Sequence, residues 1–170
     1  MFKLASETDI DKIVKLANIT RDHMQANGLE QWVGDYPNKT HFLNDYNNKG
    51  LFIYTVNNDV LASISLLPEN DEAYKAIKWT TNNALVIHRI IVNPKFQKQG
   101  LGKLLFNEAI RYAKQNYYPG IKVDTHPNNL KMQGLIIKMG FNYLGYLESI
   151  NRLAYELVFW YTRYRGESCL

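Results

Sequence analysis

Residues 90–110 read IIVNPKFQKQGLGKLLFNEAI, and their order decides how the rest of the chain folds. The run begins inside ALVIHRIIV (84–92), whose β-branched side chains predict a central strand that Asn93 and Pro94 close. It ends in a helix, because Leu101, Leu104, Leu105, Ala109, Tyr112 and Ala113 recur at the spacing of one buried stripe up to about Gln115. Between strand and helix lies a loop with Gly100 and Gly102 at the helix mouth. The first N–H groups of a helix lack intrahelical acceptors and the macrodipole is positive there, so an anion at that mouth satisfies both. Neither glycine carries a Cβ to hold a phosphate off the backbone, and Lys95, Lys98 and Lys103 add positive charge around it.

Working outward, Phe2–Leu4 is a strand candidate, followed by a helix with Ile10, Ile13, Val14, Ala17 and Met24 on its apolar face and Thr8 or Asp9 as N-cap. GLEQWVGDYP (28–37) breaks that pattern through Gly28, Gly34 and Pro37, and a brief helix follows near 40–48. LFIYTV and VLASISLL flank Asn57, Asn58 and Asp59 and read as a hairpin, whereas 69–82 is a polar loop. Beyond the deciding stretch, IKVDT (121–125) is a strand and Leu130 to Met139 a helix with Gly140 at its C′ position. FNYLGYL and RLAYELVFW are two final strands. This order predicts a mixed sheet with helices on its faces, of the α/β class, in one domain spanning 1–170 with no repeat or linker.

At 170 residues and 46% hydrophobic, the chain can bury one core without disulfides or a structural metal. Its one cysteine, Cys169, cannot close an intrachain disulfide, and the four histidines show no i, i+4 pairing, so no metal site is expected. The segment MFKLASETDIDK has no apolar targeting core and no later run reaches about 20 apolar residues, so the expectation is a cytoplasmic protein with no membrane partner. A net charge of +4 with scattered lysines suits an anionic small ligand and argues against nucleic acid.

Three phosphate-loop patterns can be told apart here. A dinucleotide fingerprint needs a third glycine where Leu105 stands, and a P-loop needs Ser or Thr where Leu104 follows Lys103. The pattern that fits is Gln/Arg-x-x-Gly-x-Gly/Ala, met by Gln97, Gly100 and Gly102 directly after a β-branched strand. A second feature follows at the matching distance: Asn129 after the next strand, then a helix ending in Gly140-Phe141. On these residues the sequence resembles the GNAT superfamily of N-acetyltransferases over nearly its whole length.

The resemblance implies an α+β acyltransferase fold with a mostly antiparallel mixed sheet of about seven strands and helices on both faces. It implies acetyl-coenzyme A as co-substrate and an amine acceptor as partner. Backbone groups of Ile90, Ile91 and Val92 then pair with pantetheine as an added strand would. The loop of Gln97, Lys98, Gln99, Gly100, Leu101, Gly102 and Lys103 holds the pyrophosphate, and His126, Asn129 and Met132 contact the coenzyme from the next strand and helix. The reaction implied is direct attack of a neutral amine on the thioester, with a backbone N–H near Ile91 and Val92 meeting the oxyanion.

His88 is the favoured base. Strand alternation predicts Val86, His88 and Ile90 on one face with Arg89 on the other, and His88 resembles the proposed catalytic histidine of the arylalkylamine acetyltransferases. His126 is a second candidate. Many members place an acidic tyrosine four residues before the Gly-Phe pair; here Ile136 stands there, leaving Tyr143 and Tyr146 as substitutes. Acceptor choice is expected in residues 18–49, with Trp32 and Tyr36 walling an apolar pocket and Asp35 or Glu30 attracting a cationic amine. An acyl-CoA-binding regulator without transferase activity and a nucleotide- or RNA-binding module are the alternatives, and the protein is a monomer or a homodimer.

Overall fold

The computed structural model describes residues 1–68 and 72–159; Cys169 and most of the aromatic tail lie outside the described residues. The chain runs β1 (Phe2–Leu4), α1 (Ile10–Ala26), α2 (Lys39–Asn47), β2 (Leu51–Val56), β3 (Asp59–Pro68) and β4 (Leu85–Val92). It continues through α3 (Leu101–Gln115), β5 (Gly120–Thr125), α4 (Leu130–Lys138), β6 (Asn142–Leu147) and β7 (Arg152–Val158). The strands form one seven-stranded sheet of order β1-β2-β3-β4-β5-β7-β6. Every neighbouring pair is antiparallel except β4 and β5. The expected mixed, mostly antiparallel α+β architecture is therefore what the chain adopts.

Local chemistry accounts for the joints. Asn57 and Asn58 both take positive φ, 50° and 67°, which is the type I′ geometry whose twist matches the two strands it joins. Asp9 precedes α1 as expected, but its carboxylate turns back to the N–H (3.0 Å) and hydroxyl (2.6 Å) of Ser6, so one helical turn, Glu7–Asp9, is already wound ahead of α1. At the end of α4, Gly140 bonds to the carbonyl of Ile137 (3.0 Å) and Phe141 to that of Ile136 (3.3 Å), which stops the helix and turns the chain into β6.

Helices cover both faces. Leu105, Phe106, Ala109 and Ala113 of α3 pack with Ile136 of α4 against Ile64, Leu85, Ile87 and Val123 of the sheet. Ile13, Leu16 and Ala17 of α1 pack with Phe42 of α2 and Trp32 against Ile53 and Ile91 on the opposite face.

One departure from regular pairing shapes everything near the deciding stretch. Ser65 faces His88 and Ser63 faces Ile91, so two residues of β4, Arg89 and Ile90, oppose the single Ile64 of β3. Arg89 takes φ 47°, left-handed backbone at a non-glycine residue. The bulge corrects the expected alternation. Ile90 packs on the α3 side with Ile87 and Val92, whereas Arg89 reaches α2 on the face that His88, opposite Ser65, also presents. Beyond this point β4 and β5 part: their parallel pairing ends at Ile87 and Val123, although β4 runs on to Val92 and β5 to Thr125.

A forked ion pair holds the bulge. Arg89 Nε and Nη2 donate to the two carboxylate oxygens of Asp45 at 2.7 and 2.5 Å, Ser65 Oγ adds a 2.5 Å bond, and Arg89 Nη1 donates to Tyr36 Oη at 3.2 Å. The Asp45 side chain is 0% exposed and that of Arg89 12%, so neither charge has much water to fall back on. Burial works against the Arg89 charge, yet the hydrogen bonds and charge of Asp45 outweigh it and keep the guanidinium's pKa above its ordinary value. Asp45→Asn should therefore cost about 3–5 kcal/mol in urea unfolding, because it strands a nearly buried guanidinium. The double change Asp45→Leu with Arg89→Met should cost less than Asp45→Asn alone, since an apolar pair leaves no uncompensated charge.

Candidate functional site

Where β4 and β5 part, a cleft of about 200 Å³ opens between α1, β4, the mouth of α3 and the first turns of α4. Ile90, Val92, Gln97, Gly102, Asn129 and Met132 line it, six of the residues that the sequence assigned to a coenzyme. Ile91 stands between two of them but turns its side chain into the core under α1. Lys98, Gln99 and Lys103 are exposed on the loop and first helical turn beside the cleft.

The loop is built to hold an anion. Gly100 caps α3 at φ 83°, and a Cβ there would meet nothing within 4 Å, so the space above it is open. Leu104 is the first residue of α3 to close an intrahelical bond, to Gly100 (2.9 Å), which leaves the N–H groups of Leu101, Gly102 and Lys103 pointing out of the mouth. Gly102 is small for a second reason beyond phosphate approach: a Cβ would lie 2.9 Å from Cδ2 of Leu135, which itself lines the cleft.

The far wall was not read from the sequence. Thr20, His23, Met24, Asn27 and Leu29 close the cleft from α1 and its exit. Thr20 is 3% exposed, and its hydroxyl finds no hydrogen-bond partner among the described residues. A buried hydroxyl facing a cleft with no partner is what a polar ligand satisfies, and together with the α3 mouth it fits the pantetheine and pyrophosphate of a coenzyme A. The readable sign was a threonine within the apolar stripe Ile13, Ala17, Thr20, Met24.

On the other side of the parting strands, polar groups gather at the end of β5. His126 is 8% exposed; its Nδ1 accepts from the backbone N–H of Asn128 (3.1 Å), and its Nε2 lies 3.2 Å from the side-chain amide of Asn151. Asn151 also meets the hydroxyl of Tyr146 at 2.7 Å. Asn151 thus joins the two side chains, its Oδ1 accepting the phenolic proton of Tyr146 and its Nδ2 turned to the imidazole.

Gln31, outside every motif, joins this cluster. Its Oε1 accepts from Asn129 Nδ2 (2.7 Å) and Thr125 Oγ1 (3.3 Å), and its backbone carbonyl accepts from Arg152 Nη2 (2.7 Å). Arg152 also donates to the carbonyls of Ile150 (3.0 Å) and Asn151 (2.9 Å) and pairs with Asp124 at 3.6 Å.

The remaining predicted residues spread around this centre. His88 is half-buried on the face of α1 and α2. Tyr143 stacks edge-on with Tyr155 (5.6 Å), two pairings further along the β6–β7 ladder than Tyr146 and away from the His126 cluster. Trp32 is 4% exposed within the α1–α2 core, in edge contact with Tyr36 at 6.4 Å, whose hydroxyl takes Arg89. Asp35 is exposed and accepts from Asn38 (2.7 Å) just ahead of α2, while Glu30 lies within electrostatic reach of His126. Among the described residues no group of His, Cys, Asp and Glu is arranged to hold a metal, and no helix is long and apolar enough to cross a membrane.

Comparison with known proteins agrees with this geometry. The profile of the acetyltransferase (GNAT) family matches residues 15–141. The chain is similar in structure to a GNAT-family acetyltransferase from Streptococcus agalactiae 2603, with a TM-score of 0.85, 27% identity, and 95% of this chain and 96% of that one covered. It shares its fold with a GNAT-family acetyltransferase from Listeria monocytogenes 4b F2365 (TM-score 0.79, 17% identity, 94% of each chain covered). It also shares that fold with the PaiA N-acetyltransferase of Thermoplasma acidophilum, solved in complex with coenzyme A (TM-score 0.73, 16% identity, 94% and 98% covered). No match was found among curated proteins.

The His126 environment sets a pH dependence. Burial and then the positive charge of Arg152 push its pKa below the ordinary value, with Glu30 pulling weakly the other way. The unfolded chain then takes the proton first, so this contribution to stability is present above about pH 6.5 and is lost as the pH falls through the folded-state value. Denaturant midpoints measured between about pH 7.5 and 5 should fall with acid, and His126→Gln should flatten that fall.

Proposed function

The chain belongs to the GNAT acetyltransferase family, and on that premise we propose that it carries the acetyl group of acetyl-coenzyme A directly to a primary amine. The observation that carries this reading is the convergence of six expected coenzyme residues on one cleft, at the outward-pointing N–H groups of α3 and beside the stretch of β4 that β5 leaves. In it, pantetheine adds to β4 between Ile90 and Val92 as an extra strand, and the pyrophosphate rests on the amides around Gly100 and Gly102.

The amine must arrive neutral. With a pKa near 10 it is about a thousandfold under-populated in its nucleophilic form at pH 7, so a base has work to do. His88 suits that role, since it faces the side of the sheet covered by α1 and α2, whose connection holds Tyr36 and Trp32. The nitrogen lone pair adds to the thioester carbon, the carbonyl becomes an oxyanion met by a β4 N–H near Ile91, and collapse expels the coenzyme thiolate. His88 holds the proton taken from the ammonium, the proton that the attacking nitrogen sheds on collapse passes to solvent, and Tyr146, whose hydroxyl rests on Asn151 Oδ1, turns to give its proton to the sulfur and regains one from solvent. Tyr36, backed by the buried Trp32, walls the acceptor region, and Asp35 and Glu30 favour a cationic amine approaching it. No metal ion enters these steps.

The regulator reading draws on one observation, that Ile136 replaces the family's tyrosine and is fully buried in the α3-side core. Calorimetry and turnover separate the two. Acetyl-CoA and CoA should bind while ATP and a short RNA do not, and an amine library should release free thiol with at least one acceptor; silence across the library would favour the regulator. Gly100→Glu, for which there is room although the left-handed backbone strains any side chain, should lower acetyl-CoA affinity roughly tenfold or more by putting bulk and negative charge at the phosphate position. His88→Ala should cut turnover by roughly 10² with acetyl-CoA affinity nearly unchanged, and unchanged turnover at pH 7 would remove His88 from the mechanism.

A further inference from the structure

Gln31 belongs by sequence to the segment expected to choose the acceptor, yet one of the groups it binds, Asn129, lines the coenzyme cleft. Thr125 ends β5, Asn129 caps α4 and Arg152 opens β7. Asn129 is the informative partner. Its Oδ1 accepts from the N–H of Met132 (3.1 Å) and so caps α4, while its Nδ2 donates to Gln31 Oε1 (2.7 Å). Asn129 and Met132 both line the cleft. One planar amide is thus held at both ends, and the end that is not α4 is Gln31.

The loop itself is anchored from behind. Trp32, next in sequence, is buried in the α1–α2 core and its carbonyl accepts from Gln25 Nε2 at 3.5 Å. Arg152, which binds the Gln31 backbone carbonyl, is fixed in turn by Asp124 and by the carbonyls of Ile150 and Asn151.

We propose that Gln31 is a positioning residue that couples the acceptor loop to the coenzyme cleft, by holding the Asn129 amide in the orientation that caps α4. The inference rests on the reading of the cleft as an acetyl-CoA site. With Oε1 removed, Nδ2 of Asn129 is left buried without its acceptor, and the amide can leave Met132 to find another. The first turn of α4 then loosens, and the cleft wall loosens with it. Gln31 therefore acts on coenzyme affinity through Asn129, without touching the coenzyme. Glutamate keeps acceptor oxygens at the same place and near Arg152, whereas leucine matches the size and offers none.

The test measures the acetyl-CoA Kd by calorimetry and the thermal midpoint for the wild type, Gln31→Leu and Gln31→Glu, with titrations run well below each midpoint. Gln31→Leu should weaken binding roughly five- to tenfold, the cost of one lost hydrogen bond to a buried partner. Gln31→Glu should stay within about twofold of the wild type. Two results overturn the proposal: Gln31→Leu binding as the wild type does with only its midpoint lowered, or Gln31→Glu binding as poorly as Gln31→Leu. A wild type that does not bind acetyl-CoA at all would instead overturn the reading of the cleft, and this coupling with it.

Discussion

The buried fork between Arg89 and Asp45 is the interaction on which the site depends. Left to strand propensity, LVIHRIIV would pair along its whole length with both neighbours and close the sheet. A single residue in left-handed backbone interrupts it, at a cost on the order of 1 kcal/mol or more for a side chain as large as arginine. The fork to Asp45, braced by Ser65 and Tyr36, offsets that cost and fixes where the bulge falls. From that point β4 leans away from β5, and the space between them is the cleft.

Opening the sheet creates two kinds of surface at once. On the α3 side the chain offers an edge of β4, a helix mouth and a buried hydroxyl on Thr20, all fixed before any ligand arrives. Such groups need no reorganisation to meet a diphosphate and a chain of amides, which is why preformed helix termini serve anions so well. Across the parting strands, by contrast, the polar groups are already bound to one another: His126 to Asn128 and Asn151, Gln31 to Thr125 and Asn129, Arg152 to Asp124.

Much of this was legible in the sequence, for identifiable reasons. The strands and helices announce themselves by period, the β2–β3 hairpin by two asparagines that tolerate positive φ, and the anion loop by glycines at a helix start. Local chemistry determines those features, so local reading finds them. The bulge is different. Arg89 is flanked by strand formers, and what bends the chain there is Asp45, forty-four residues away. Gln31 escapes for the same reason, because its partners at 125, 129 and 152 are neighbours only after the sheet has formed. Trp32 shows the converse: an aromatic in a loop rich in glycine reads as a pocket wall, yet the structure sets it in the core between α1 and α2, behind Tyr36. Periodicity carries no information about which loop residue turns inward.

The replacement of the family's tyrosine by Ile136 can be weighed in the same terms. Ile136 lies in the core with Phe106 and Phe141, and its carbonyl receives Phe141 N–H at the turn that ends α4. A tyrosine there would have to carry its hydroxyl out of a packed interior or bury it without a partner, at a cost of about 1–3 kcal/mol. What the chain gives up is modest. A thiol with a pKa near 8.5 departs as thiolate at pH 7 for about 2 kcal/mol, an amount one well-placed hydrogen bond to a charged oxygen or sulfur can cover. Tyr146 of β6, by contrast, keeps its hydroxyl outside that interior, donating it to Asn151 Oδ1 beside His126. A phenol on the β6–β7 side thus asks nothing of the core that Ile136 completes.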